Sequence, residues 1–291
     1  MVPFTRCSPA PLPYSCHAAP RSPLSPDRIA VVIPALNEAL RIREVVAGAL
    51  LHSPNVIVVD DGSDDGTPEL VADMPVTLLR HARRLGKGAA LRDGFAEALR
   101  RGHAAVVTLD GDGQHDPADI PRLLAAGNRH PGWIVIGARL RRRERQPLHR
   151  QLANAFGDWG IAWGTGYQVV DSQSGQRLYP AEACRLACAG IPGEDFVFEA
   201  QLLMSAAQQL GMHCVSVPIE ARYSLVHGAP KLRPSHFRPL RDLWRITSHI
   251  VVQCLRRGGL AQVHRSVRAH PPVIDDPDAH PAAATPADAL R

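Results

Sequence analysis

Short β-branched segments alternate with longer helical segments through much of the 291-residue sequence. The segments 56–59 and 104–109 are typical of buried strands, whereas 87–101 places its apolar residues at helical spacing. Such alternation predicts an α/β fold with a mostly parallel central sheet covered by helices on both faces. Further strands are predicted at 29–33, 76–79, 133–136, 176–179 and 214–220. Further helices are predicted at 37–51, from residue 117, at 148–163 and at 196–210.

Acidic residues stand at the carboxyl ends of two predicted strands, where open parallel sheets bind their ligands. Asp60 and Asp61 follow the second strand, and Asp110 and Asp112 follow the fourth. Carboxylates at such a rim accept hydrogen bonds from a nucleotide base or ribose. For the acidic cluster 60–67 the alternative is a turn that leads into a helix capped by a threonine.

The segment Asp110-Gly111-Asp112 carries the strongest chemical signal. Two carboxylates at i and i+2 of an extended segment project to the same side. They form a hard oxygen site suited to Mg²⁺ or Mn²⁺ rather than to zinc. A divalent ion there would clamp a diphosphate and stabilise its charge as it leaves.

Composition and missing motifs exclude several other classes of protein. The net charge of +5 suits a nucleotide, a phosphorylated lipid or an anionic membrane surface. An aromatic content of 5% argues against a nucleic-acid partner bound by base stacking. The six cysteines show no zinc-like spacing, which favours a reducing compartment. No GxGxxG fingerprint is present, and the Gly-Lys segment at 86–87 lacks the Ser or Thr of a P-loop.

Four motifs, in order, resemble those of glycosyltransferase family 2, and more closely its dolichyl- and polyprenyl-phosphate sugar transferases. They lie at 31–38, 59–63, 84–88 and 110–114, within a similar region from 28 to 223. The resemblance implies one GT-A type, Rossmann-like domain. It also implies inverting transfer of a sugar from a nucleotide-diphosphate donor to a lipid-linked acceptor, with polyprenyl phosphate favoured.

The resemblance assigns site residues by motif position. Asp112 is the implied catalytic residue, and 171–177 matches an acceptor-side segment in which Gln176 replaces the usual aromatic residue. The implied donor-binding residues are Pro34, Ala35, Glu38, Asp60, Asp61, Lys87, Asp110 and Lys231. The implied ligands of Mg²⁺ or Mn²⁺ are Asp110, Asp112 and Gln114. The implied acceptor-binding residues are Arg139, Arg150 and Asn154.

Three alternatives to this function stay open at the level of the sequence. An acceptor hydroxyl would need a general base, for which Asp195 is the candidate, whereas an anionic phosphate needs none. A metal-dependent phosphatase or nucleotidyltransferase could use the same carboxylates. A non-catalytic nucleotide-sugar sensor is the third alternative.

Four regions are predicted along the chain. Residues 1–27 are read as a disordered leader, 28–235 as the catalytic domain and 259–291 as a disordered tail. Between the last two, 236–258 forms a basic amphipathic stripe that would lie on an anionic membrane or pack against the catalytic domain. No apolar run reaches the roughly 20 residues of a membrane span. We therefore expect a cytoplasmic enzyme with at most peripheral contact with the inner face of the membrane.

Overall fold

The structure of the protein, a computed structural model, describes residues 22–141, 148–191, 196–220 and 259–276. Within these ranges the chain forms eight strands and seven α-helices. The strands are β1 (Ile29–Ala35), β2 (Val56–Asp60), β3 (Thr77–Arg80), β4 (Ala105–Thr108), β5 (Ile134–Arg141), β6 (Arg177–Pro180), β7 (Cys214–Glu220) and β8 (Val273–Ile274). The helices are α1 (Ile42–Leu50), α2 (Lys87–Arg100), α3 (Ile120–Arg129), α4 (Leu148–Thr165), α5 (Ala181–Cys188), α6 (Phe196–Gln209) and α7 (Leu260–Ala269).

All eight strands belong to one sheet in the order β3-β2-β1-β4-β6-β5-β7-β8. Strand β6 is antiparallel to its neighbours β4 and β5, and the other pairs are parallel. The predicted mostly parallel α/β sheet is therefore confirmed. Because β6 runs the opposite way, the loop before it reaches the same rim as the carboxyl ends of the parallel strands.

Each face of the sheet has its own apolar core. Alternate residues of a strand point to opposite faces, so in β1 Ala30 and Val32 join one core while Val31 and Ile33 join the other. Helices α2, α5 and α6 cover the first core, and α1 and α3 cover the second. Every position of β1 is buried, as expected for a central strand covered on both sides.

The first helix begins at Ile42 rather than at residue 37 as predicted. Asn37 has φ 57°, in the left-handed region that a right-handed helix excludes. Its N–H donates to Ser63 Oγ at 2.9 Å, and the N–H of Glu38 donates to Thr67 Oγ1 at 2.8 Å. Side chains of the loop after β2 therefore hold the 36–41 segment outside the helix. Thr67, which in the alternative interpretation of the 60–67 cluster caps a helix, binds this loop instead.

Strand β1 also continues through Pro34 to Ala35, two residues beyond the end predicted from the sequence. Val32 accepts a hydrogen bond from the neighbouring β4 side, where Leu109 N–H donates to its carbonyl at 3.1 Å. Pro34 would direct its missing N–H to that same side, but the β1–β4 register ends at Val32 and Thr108. The proline therefore removes no hydrogen bond from the sheet.

The predicted leader is wrong for residues 22–27. Leu24 exchanges two hydrogen bonds with the Asn128 side chain, at 2.7 and 3.0 Å. Arg28 donates to the carbonyls of Ser22 and Pro23. These bonds attach the segment to α3 and to the start of β1. Residues 1–21 lie outside the described part of the chain.

The predicted disordered tail is wrong for residues 259–276. Helix α7 packs Val263 against Trp163 of α4, and β8 pairs with the edge strand β7. Asp275, which follows β8, accepts two hydrogen bonds of 2.8 Å from Arg129 and lies 3.0 Å from His130 Nε2. A two-residue strand has no sequence periodicity to reveal it, so only the tertiary contacts define this segment. The amphipathic stripe predicted at 236–258 lies outside the described residues.

No helix in the described ranges is both long enough and apolar enough to cross a membrane.

We expect Asp275→Ala to loosen the C-terminal segment 259–276. The change removes three contacts to charged or protonatable partners, so the free energy of local opening should fall by about 2 kcal/mol. Amide hydrogen exchange over these residues measures it. Asp276→Ala is the matched control, because its contacts with Arg122 and Arg141 are longer, at 3.1 and 3.2 Å. Equal exchange in Asp275→Ala and the unmodified protein would contradict the expected role of Asp275.

Candidate active site

Three charged side chains from distant parts of the chain meet at the rim of the sheet. Lys87 is the first residue of α2, Asp110 follows β4, and Glu199 lies in α6. Lys87 Nζ is 2.7 Å from Asp110 Oδ1 and 2.9 Å from Glu199 Oε2. Burial opposes the charged form of both groups of the first pair. The two carboxylates nevertheless raise the pKa of Lys87, and the ammonium holds the pKa of Asp110 at about 2. Lys87 and Asp110 are therefore both charged at neutral pH.

Asp112 lies in the same short segment and is held by Gln114. Its two carboxylate oxygens accept hydrogen bonds from the Gln114 N–H at 3.0 Å and from Gln114 Nε2 at 2.6 Å. Burial raises the pKa of Asp112, and the negative charge of Asp110 raises it further. An added Cβ on Gly111 would lie 3.4 Å from Glu38 Cγ. The first and fourth motifs are therefore adjacent, as predicted for one rim.

The loop before β6 closes over Asp110. An added Cβ on Gly175 would overlap the Asp110 carboxylate, so only glycine permits this approach. Arg177 is 1% exposed and donates to the carbonyls of Ser172 at 2.6 Å and Ser174 at 2.7 Å. A buried guanidinium with several acceptors fixes the loop in one conformation.

A second set of contacts joins this loop to the segment after Asp112. His115 Nε2 is 3.3 Å from Ser174 Oγ, and Gln176 Nε2 donates to the Asp116 carbonyl at 3.0 Å. Among the described residues His115 Nδ1 has no hydrogen-bond partner, and it lies 3.8 Å from Asp110 Oδ2. Burial lowers the pKa of His115, which favours its neutral form. Gln176, which replaces an aromatic residue, is thus a buried link between the two loops.

On the predicted acceptor side, Asp171 fixes Arg139. Its carboxylate accepts hydrogen bonds from Arg139 Nε at 2.8 Å, Nη2 at 2.6 Å and the backbone N–H at 2.7 Å. Burial opposes ionisation of Asp171, but Arg139 lowers its pKa. Asp158 of α4 in turn accepts from the N–H groups of Asp171 and Ser172, at 3.0 and 2.7 Å. Arg139 is therefore positioned by a chain of bonds that begins on α4.

On the predicted donor side, Asp61 anchors the glycine-rich segment. Its carboxylate accepts from the N–H groups of Leu85 and Gly86, both at 2.8 Å, and lies 2.7 Å from His81 Nδ1. The other ring nitrogen of His81 lies 2.8 Å from Asp93 Oδ2 on α2. These bonds place the start of α2, and hence Lys87, at the rim.

Asp60 is fully buried at the end of β2, and two of its contact residues line a hollow. Its carboxylate accepts from the Ser63 N–H at 3.3 Å and is 3.5 Å from Arg80 Nε. Ser63 and Arg80 also line an open hollow of about 390 Å³. A second cavity, of about 200 Å³, lies between α1 and the segment after Asp112. The first of these is adjacent to the carboxylate predicted to contact the nucleotide.

Some predicted site residues cannot be placed. Asp195 and Lys231 lie outside the described residues, and Arg150 belongs to α4 but its side chain is not described. Asn154 is half-buried on α4. Within the described ranges no group of three or more His, Cys, Asp or Glu residues could hold a metal.

The sequence did not assign three of the residues that build this site, namely Glu199, His115 and Asp158. For Glu199 a signal was present, because it is the single carboxylate in the apolar first turns of α6. A lone charge in a buried helix requires a partner. Asp158 lay in a helix predicted only by its periodicity, so nothing in the sequence connected it to residue 171.

Comparison with solved structures defines the fold of this protein as GT-A type. The crystal structure of glucosyl-3-phosphoglycerate synthase from Mycobacterium tuberculosis with UDP has a TM-score of 0.56 and 22% identity, covering 78% of this chain and 80% of that one. The same enzyme has been crystallised with Mg²⁺ and UDP and with Mn²⁺ and UDP-glucose. At this identity the similarity establishes the fold alone.

Residues 30–178 match glycosyl transferase family 2, and the chain belongs to this family. The UDP-N-acetylglucosamine–dolichyl-phosphate N-acetylglucosaminyltransferase of Methanococcus voltae is 28% identical over 67% of this chain and 86% of its own length. The undecaprenyl-phosphate mannosyltransferase of Micrococcus luteus is 30% identical, over 66% and 82%. The protein is thus a glycosyltransferase, and the predicted family and GT-A fold are confirmed.

We expect Glu199→Gln to raise the KM for the donor about tenfold. The change removes one of the two carboxylates that bind Lys87. The Lys87 ammonium should then pair more closely with Asp110 and be less available to the donor diphosphate. Glu199→Asp should recover part of the loss. Glu97→Gln is the control, since it breaks an ion pair with Arg100 on the surface of α2. An unchanged KM in Glu199→Gln, with normal thermal unfolding, would show that Glu199 does not position Lys87.

The His81 contacts predict a dependence of stability on pH. Burial opposes protonation, but Asp61 and Asp93 raise the pKa of His81 above its ordinary 6.5. A group whose pKa is raised by folding stabilises the protein below about 6.5, and this contribution is lost as pH rises through the folded-state pKa. The free energy of unfolding should therefore differ more between the unmodified protein and His81→Gln at pH 6 than at pH 8.5.

His103→Gln is the control for this measurement. Burial, and then Arg101, lower the pKa of His103, so its pH dependence should have the opposite sign. Parallel stability curves for the unmodified protein and His81→Gln would contradict the assigned ion pairs.

Proposed function

We propose that this glycosyltransferase moves a sugar from a nucleotide-diphosphate donor to the phosphate of a polyprenyl-phosphate lipid, with inversion at the sugar carbon. The observation that carries the proposal is the partly buried Lys87–Asp110 pair, next to Asp112 and in contact with the loop before β6. Fixed positive and negative charges suit a donor diphosphate, which is first bound and then gains negative charge as it leaves the sugar. The relatives named for dolichyl phosphate and undecaprenyl phosphate support the choice of acceptor.

The donor would extend along the rim from the hollow beside Asp60 toward Lys87. Asp60 ends the strand next to β1 and Asp61 follows it, and both would lie near the base and ribose. The carboxyl end of β1 and the loop after it would contact the nucleotide. The residues assigned to this support are Pro34, Ala35 and Glu38. Lys87 would donate to the diphosphate, and Lys231 is assigned to the same group by family resemblance.

The segment 110–114 fits a divalent metal ion. Burial and the charge of Asp110 raise the pKa of Asp112, so the two carboxylates repel each other in a way that a cation relieves. The side-chain oxygens of Asp110, Asp112 and Gln114 would hold Mg²⁺ or Mn²⁺, which prefer such ligands. A bound ion of this kind supplies charge stabilisation to a departing diphosphate.

An oxygen of the acceptor phosphate would attack the sugar carbon from the face opposite the diphosphate. The new carbon–oxygen bond forms as the bond to the diphosphate breaks, and the nucleoside diphosphate leaves with the electron pair. The phosphate is already anionic, so no side chain needs to remove a proton. Arg139, held by Asp171, would bind this phosphate together with Arg150 and Asn154 of α4.

A lipid acceptor places the reaction at a membrane surface. We assign the enzyme to the cytoplasmic face as a peripheral protein, where it meets both a soluble donor and the lipid phosphate. The excess of basic residues, 33 against 28 acidic, suits an anionic surface.

The test is a panel of UDP-, GDP- and dTDP-sugars with Mg²⁺ or Mn²⁺, with and without polyprenyl phosphate, in which released nucleotide and glycolipid are measured. We expect one donor to give nucleotide release that rises with the lipid. Asp112→Ala should lower this turnover about 100-fold or more, equivalent to about 2.7 kcal/mol of transition-state stabilisation. The matched control is Asp73→Ala, which removes an exposed carboxylate paired with Arg43.

Other outcomes would change the assignment. Release that the lipid does not affect would favour a hydroxyl acceptor, with Asp195 as the general base. Activity of Asp112→Ala close to that of the unmodified protein would contradict the metal assignment. Absence of release with every donor would contradict the proposed reaction.

A further inference from the structure

Helix α4 presents two large aromatic side chains to solvent. Phe156 and Trp159 are each 54% exposed, and their rings stack with centroids 5.8 Å apart. We call these two residues the aromatic ridge. The next ring along the helix, Trp163, lies 5.6 Å from Trp159 and is packed against Val263 of α7. The ridge therefore begins where the cover provided by α7 ends.

The position of α4 does not depend on the ridge. Ile161, on its opposite side, is buried and belongs to the same core as α2 and α6. Thr165 Oγ1 closes the helix by donating to the Ile161 carbonyl at 2.9 Å. Exposed aromatic rings that do not stabilise the fold indicate a contact surface.

The ridge lies on the helix that supports the acceptor side of the site. Asp158, between the two ridge residues in sequence, accepts hydrogen bonds from the backbone of Asp171 and Ser172. Asp171 holds Arg139 by two side-chain bonds of 2.6 and 2.8 Å. One short stretch of α4 thus connects the surface aromatics to the arginine proposed to bind the lipid phosphate.

The sequence that leads into α4 is strongly basic, which suits an anionic surface. Residues 139–150, which lead into the helix and form its first residues, contain six arginines and one glutamate. Tryptophan and other aromatic side chains favour the boundary between headgroups and acyl chains, and nearby arginines favour anionic headgroups. This combination fits the surface of a bilayer better than it fits a second protein.

We propose that the aromatic ridge inserts into the interfacial zone of an anionic bilayer and so brings the acceptor side of the site to its lipid substrate. The part of this inference that concerns substrate access rests on the proposed lipid-phosphate acceptor. The contact with the bilayer does not depend on that reaction. The partner is the bilayer surface, and neither the isoprenoid chain in a closed groove nor another copy of the chain.

The test compares the full-length protein with the double variant Phe156→Ser/Trp159→Ser. Binding is measured by co-sedimentation with vesicles of phosphatidylcholine containing phosphatidylglycerol. We expect the double variant to bind about tenfold more weakly, because both apolar rings are withdrawn from the interface. Leu51→Ser is the control, since Leu51 is 82% exposed at the end of α1 and should not alter binding.

Activity measurements separate this contact from catalysis. With long-chain polyprenyl phosphate in vesicles the double variant should lose turnover in proportion to its binding. With a water-soluble, short-chain isoprenyl phosphate its turnover should match that of the unmodified protein. Equal loss with both acceptors would show that the ridge residues support the site itself, which would overturn the membrane role.

Three further results would overturn the inference. They are equal vesicle binding with and without the ridge, a dimer in sedimentation analysis that the double variant abolishes, and shielding of Trp159 from a soluble quencher in the absence of vesicles. The last result would mean that another part of the chain covers the ridge. Vesicle binding that requires the ridge, in a protein inactive with every lipid phosphate, would support the contact and contradict the proposed reaction.

Discussion

The partly buried ion pair between Lys87 and Asp110 is the constraint on which the site depends. Even partial burial disfavours each charge in the absence of the other. Lys87 also pairs with Glu199, so the start of α2, the end of β4 and the first turns of α6 are held at fixed distances. Removing Lys87 would leave both carboxylates uncompensated, whereas removing Glu199 would leave Lys87 paired with Asp110 alone. The arrangement therefore orders the rim before a donor or metal binds.

The loops at this rim hold one another rather than being held by the sheet alone. Asp61 binds the backbone of the glycine-rich segment, and Ser63 and Thr67 bind the backbone after β1. Arg177 does the same for the loop before β6. Several acidic and polar residues of the family motifs thus have a structural role in addition to any contact with the donor. Such preorganisation lowers the cost of arranging charges during the reaction.

The reversed strand β6 explains how the acceptor side joins the donor side. Because β6 is antiparallel to β4, the residues before it arrive at the carboxyl ends of the parallel strands. Gly175 then meets Asp110, and Asp171 meets Arg139. If β6 were parallel to β4, the loop before it would lie at the amino ends of the parallel strands, away from the site. The exposed aromatics of α4 continue the same side of the molecule outward, toward the surface where a lipid acceptor would lie.

The sequence by itself determined the alternation of strands and helices, the acidic residues at the strand ends and the family. These are local signals, because periodicity and motifs are properties of neighbouring residues. Tertiary structure decided that Asn37 lies outside the first helix, that the chain from 259 forms a helix and an edge strand, and that Glu199 reaches Lys87. Each depends on groups far apart in the chain: Ser63 for Asn37, β7 for residue 273, and α2 for Glu199. Contacts of this kind have no local signature, so only the folded chain defines them.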